Sequence, residues 1–173
     1  KRQMIAEIGL FALILAGLMA LVQGTLPLIG AARGDAAWMA LARPAAQGQL
    51  AFIAIAFGAL TWAFVVSDFS LGIVARNSHS TKPMLYKISG VWGNHEGSML
   101  LWSLILALFG AVLASFGRNL PVSLRARALG VQGLIGLAFI AFILFTSNPF
   151  LREVPAPPDG AGLNPLLQDP GLA

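Results

Sequence analysis

The chain has 173 residues, 57% of them hydrophobic and 10% charged, with a mean hydropathy of +0.79. That balance excludes an ordinary soluble domain and describes a membrane protein. The net charge of +4 comes from 11 Lys and Arg residues spread over polar segments rather than gathered in a stripe. Topology and lipid headgroups account for such a distribution, and nucleic acid is not an expected partner. The absence of cysteine removes disulfides, thiolate metal sites and cysteine nucleophiles from this chain.

At roughly 20 residues per span, the sequence divides into an all-α bundle of about four transmembrane helices, with one long loop and a Pro-rich carboxyl-terminal extramembrane segment. The first span is expected over 4–29, ending through Gln23, Gly24, Pro27 and Gly30, which weaken a helix. Its apolar run, Ile5 to Leu28, is too long for a signal-peptide core, so Lys1 to Gln3 read as an upstream start or a short basic leader. Glu7, near the positive end of the helix, suits an interfacial position. After a turn with Arg33, Asp35, Trp38 and Arg43, the second span is expected over 45–66, with Gln47 and Gln49 snorkelling from its first turn.

Residues 68–90 are too long for a simple turn between neighbouring helices. Leu71 to Ala75 reads as a short strand or an interfacial helical turn, and the polar run around His79 as exposed loop. Spans three and four are expected over 97–116 and 128–146. Ala107, Gly110, Ala111 and Ala114 on one, and Gly130, Gly133 and Gly136 on the other, permit close helix contact. From 147 to 173, six prolines forbid a continued helix, and Leu163, Leu166 and Leu167 suggest docking. Arg33, Arg43, Arg118, Arg125 and Arg127 crowd the two short turns, which favours a cytoplasmic position for them. The long loop and the carboxyl end then lie outside.

Chemistry is sought first in VWGNHEGSMLLW, Val91 to Trp102, where a histidine and a carboxylate meet an apolar span. Helical spacing puts His95, Met99 and Trp102 near one face, with Trp92 and Ser98 beside them and Glu96 elsewhere. Asn94 or Ser98 can cap the helix start. Three readings stay open: His95 as a haem or metal ligand, His95 with Glu96 as a proton relay or polar ligand contact, and a satisfied helix entrance anchored by two tryptophans. His79 reads as a solvated or a ligand-contacting histidine.

WGNHEGSMLLW resembles the WGxHEGSxLLW segment of CcmF-type proteins of cytochrome c maturation. FVVSDFS at 64–70, FILFTSNPF at 142–150 and LNPLLQDPGLA at 163–173 are similar to family segments in the same order. The resemblance implies an integral membrane domain in which residues 1–173 are an amino-terminal part, within a haem lyase component of the bacterial inner membrane. It implies haem b as cofactor, a CcmE-type haem chaperone, a CcmH-type protein presenting apocytochrome c, and joining of haem vinyl groups to CXXCH thiols in the periplasm. Trp92, Asn94, His95, Glu96, Ser98 and Trp102 become candidates for the rim of the haem site or for partner contacts. Asp68, Asn164 and Asp169 become candidate periplasmic loop contacts. The family's WWD motif is absent, and its HPP histidine falls after the matched QDPGL, so neither His79 nor His95 inherits a haem-ligand role; no catalytic residue or metal ligand is assigned. Alternatives are a noncatalytic scaffold that assembles the maturation complex and a small transporter or proton-path subunit.

Overall fold

The computed structural model describes residues 2–162 of the chain. Four of its helices are long and apolar enough to cross a membrane, as the sequence predicts for the fold class. In chain order the elements are α1 (Arg2–Arg33), a short α2 (Ala36–Ala40), α3 (Ala42–Val65), two short loop helices α4 (Gly72–Asn77) and α5 (Met84–Ser89), α6 (His95–Phe116) and α7 (Val122–Phe145). Among the described residues there is no strand, only an isolated antiparallel bridge between Leu71 and Arg152.

The long helices follow from Ala, Leu and Ile, which keep side-chain entropy cost low while every backbone group is satisfied within the helix. The expected weakening of α1 does not stop it at residue 29; it runs through Pro27 to Arg33. Packing explains this, since neighbouring helices in a membrane bundle compensate a proline that soluble helices would not tolerate. The true stop is Gly34 at φ +72, where the Asp35 amide reaches back 2.9 Å to the Gly30 carbonyl. Asp35 then caps α2 by accepting from the Ala37 and Trp38 amides at 2.9 and 3.2 Å. The Arg33 guanidinium lies 5.8 Å from the Trp38 ring centroid.

Around the bundle, α1 packs on α3 and α7, and α6 completes the ring by packing on the same two helices. Two apolar clusters fill the interior. The larger, at the end carrying the 66–94 loop, includes Leu13, Ile53, Leu60, Phe64, Leu100, Ile140 and Ile143; the smaller, at the short-turn end, joins Ala42, Ala46, Ala114 and Leu129. Between them lies a layer of amides. Gln23 is fully buried and donates through Nε2 to the Leu129 carbonyl at 2.8 Å and to Gln132 Oε1. Gln132 donates onward to the Leu106 carbonyl at 3.0 Å, so α1, α6 and α7 are linked. Gln49 is fully buried as well, which corrects the expectation that it snorkels. Its position on α3 faces inward onto Gly136, whereas Gln47 faces outward and bonds Ser115 at 3.0 Å.

The small residues serve the close contacts expected of them. A methyl group on Gly133 would come within 2.7 Å of the Gly24 backbone nitrogen and 3.0 Å of the Gln23 carbonyl carbon. The α1 and α7 backbones therefore touch across glycine. Gly110 and Gly136 leave room for the Gln132 and Gln49 side chains.

Candidate functional site

The four spanning helices leave α1's start, α3's end, α6's start and α7's end on one face of the bundle, and the long loop and the 146–162 segment cover it. Asp68 starts the loop. Nearly buried, it accepts from the Ser70 amide and hydroxyl at 3.3 and 2.7 Å, a turn that follows the left-handed Ser67 at φ 53. Its carboxylate thus shapes the loop.

Asn94 caps α6 in both directions. Its Oδ1 accepts from the Gly97 amide at 2.7 Å, and its Nδ2 donates to the Gly90 and Val91 carbonyls at 2.8 and 3.2 Å. The capping role read for Asn94 is therefore the one the side chain performs, whereas the Ser98 hydroxyl bonds the His95 carbonyl at 3.0 Å. Gly97 is needed because a Cβ there would overlap the Val91 carbonyl oxygen.

Glu96 in the first turn is favoured by the helix dipole and pairs with Arg76 of α4 at 3.3 Å. A second pair, Arg152 to Glu7 at 3.0 Å, ties the carboxyl segment to the start of α1. Phe150, almost fully buried, packs over Gly9 and so seals the bundle beneath that pair. The segment then runs along the loop through backbone bonds: Gly72 to Leu151, Glu153 to Ser70, Ala161 to Ala75 and Gly162 to Ser78, at 3.0, 2.9, 2.7 and 3.1 Å. Sequence reasoning missed this clasp, since its partners stand far apart in the chain.

His79, Ser80 and Asp159 meet at its far end. The Ser80 hydroxyl and amide donate to Asp159 at 2.6 and 3.0 Å, and with the Gly160 amide they hold that carboxyl down at about 2. The Thr81 amide donates to His79 Nδ1, and His79 Nε2 lies 3.5 Å from Asp159. Despite its composition this is not a nucleophilic triad, because the serine proton goes to the carboxylate and not to the imidazole.

His95 lies outward on the other side. Its ring meets Phe142 edge-on at 6.2 Å, at the mouth of an apolar groove of about 260 Å³ lined by Met99, Ala138, Phe139 and Phe142. Trp92 and Trp102 also face outward. The six rim candidates therefore divide: Asn94, Glu96 and Ser98 build the helix start, while His95, Trp92 and Trp102 face away from the bundle. Asn164 and Asp169, with Leu163, Leu166 and Leu167, lie outside the described residues.

The haem expected from the resemblance does not fit the described residues alone. The groove is open and smaller than the roughly 300–1,000 Å³ of a pocket that encloses a ligand. What these residues do offer is a fixed rim: one imidazole over an apolar wall, and beside it a polar surface with concavities of about 290 and 250 Å³ that share Arg76 and Glu153.

Residues 92–173 match the family described as Cytochrome C assembly protein. The chain is 66% identical over 170 residues to the cytochrome c-type biogenesis protein ccl1 of Rhodobacter capsulatus, with 98% of this chain and 26% of that protein covered. It is 58% identical over 170 residues to CcmF of Pseudomonas aeruginosa, again covering 98% of this chain and 26% of the relative. A solved structure titled Cytochrome c Heme Lyase CcmF superposes with a TM-score of 0.80 at 29% identity, covering 84% of this chain and 24% of that one. The chain thus spans about a quarter of the length of the relatives it matches. Matched along nearly its whole length by these proteins and sharing its helical frame with a solved one, this multi-pass membrane chain belongs to the CcmF family of cytochrome c-type biogenesis proteins.

Proposed function

We propose that the chain supplies the four-helix scaffold and the periplasmic rim of a system I cytochrome c haem lyase component in the bacterial inner membrane. In this reading the bundle and its clasp hold a surface on which substrate haem, brought by a CcmE-type chaperone, meets the CXXCH thiols of apocytochrome c presented by a CcmH-type partner. Each thiol S–H adds across a haem vinyl group, so the reacting sulfurs belong to the substrate, and a chain without cysteine suits that division. Residues beyond the described ones complete the haem site.

The observation that carries the reading is the use made of the WGNHEGS stretch. Asn94 and Gly97 fix the start of α6, Glu96 fastens α4 to it, and His95 is left presented outward over the Phe142 groove. Residues spent on shape around one outward imidazole favour positioning of a ligand or partner over proton relay, for which Glu96 is already committed to Arg76. In the full-length protein, His95→Ala and Glu96→Gln should each lower holocytochrome c yield at equal protein level, His95→Ala the more strongly. Wild-type yield in both variants would remove this reading of the stretch.

A further inference from the structure

We propose that α5 and Trp92 form an interfacial anchor, seated in the lipid leaflet at the loop end of the bundle, with Lys82 and Lys87 holding anionic headgroups. None of the six residues of α5 is buried. Yet Met84 is 52% exposed, Leu85 73%, and Tyr86 and Ile88 36% each, with Trp92 close by at 44%. In an aqueous loop such a patch has no favourable surroundings.

Three contacts set its height. Lys87 Nζ donates to Ser67 Oγ at 2.7 Å, two residues past the end of α3. Gly90 lies against the Phe64 ring, and Val91 is fully buried under the loop. The segment therefore sits level with the end of α3 and the start of α6, where hydrocarbon gives way to headgroups. Tyrosine and tryptophan suit that depth, with an apolar body and a polar tip.

Charge selects the occupant. Between Asp68 and Glu96 the chain has no acidic residue, and its cations are Arg76, Lys82 and Lys87. Lys82 gives one N–H to the Asn77 carbonyl at 2.7 Å and Lys87 gives one to Ser67, so each ammonium retains two donors for phosphate oxygens. Apolar residues flanked by lysines on a short surface helix match an anionic lipid boundary. The anchor does not depend on the haem lyase reading.

The test places a nitroxide at Leu85→Cys in the full-length protein, with any other cysteines replaced by serine, reconstituted in nanodiscs with or without phosphatidylglycerol. Ala156→Cys on the outer segment serves as the aqueous reference, and Met84→Cys repeats the reading independently. The expected result is high collision with oxygen and low collision with a water-soluble nickel chelate, placing the label about 5–10 Å below the phosphates. Lys82→Gln with Lys87→Gln should raise it toward water in anionic discs. Nickel access equal to that at Ala156→Cys would overturn the proposal, as would shielding from both reagents, which signifies a covering protein. A depth indifferent to both disc charge and the lysine changes would overturn the headgroup contact.

Discussion

Gln23 and Gln132 bond between helices inside the bundle, while Arg76, Glu96, Arg152 and Glu7 join its loop-end cover; both groups fasten elements together, but they do so at different energetic stakes. Gln23 is shielded from water, so a broken bond there strands its own buried amide. The ion pairs stand at the surface, where solvent screens them and a pair contributes about 0–1 kcal/mol. The glutamine layer and its glycines therefore decide whether the helices assemble, and the clasp decides how the rim is shaped. Residues of the rim can be changed without dismantling the bundle, which makes their functional effects readable.

Breaking the interior should produce the largest loss. Gly133→Val pushes a branched side chain into the α1 backbone at Gly24, and a cost of about 1–3 kcal/mol is expected. Thermal unfolding of the protein in detergent should show it as a clear fall in Tm, and an unchanged Tm would mean that the helices do not meet there. Next comes the cap joining the two regions: Asn94→Ala should cost about 1 kcal/mol and accelerate amide exchange at Gly97. Unchanged exchange would show that the cap contributes nothing.

The smallest effect is expected at the outer end of the clasp. Asp159 drops from 3.8 to about 2 because the folded structure stabilises its ionised form. Its contribution is therefore fully present above about pH 4 and fades as pH falls through 2. Acidification across that window should lower the protection of the Ala161 and Gly162 amides, relative to their intrinsic exchange rates, before that of the spanning helices, and Asp159→Asn should remove this pH-dependent change in protection.

The four spans were legible because a long apolar run has only one satisfactory membrane fold, and Asn94 was legible as a cap because its signal is local. Gln49 was not, since proximity to a helix start says nothing about which face it takes in the bundle. The Glu7 to Arg152 pair and the seating of Phe150 over Gly9 depend on segments far apart in the sequence brought together by the fold, with no local signature. Pro27 misled for a related reason: its cost is local, whereas the packing that sustains the helix is not. At the candidate site, spacing separated His95 from Glu96, but only the fold shows what each one meets.

In the function proposed, Glu96 serves through Arg76 by shaping the rim. Holocytochrome c yield in full-length variants at equal membrane level tests it most directly, comparing Glu96→Arg and Arg76→Glu alone with the two combined. Each single reversal places like charges together and should lower the yield, while the combined exchange restores the pair and should recover most of it. A combined variant as defective as Glu96→Arg alone would rule out a role through Arg76 and make the Glu96 carboxylate itself the functional group.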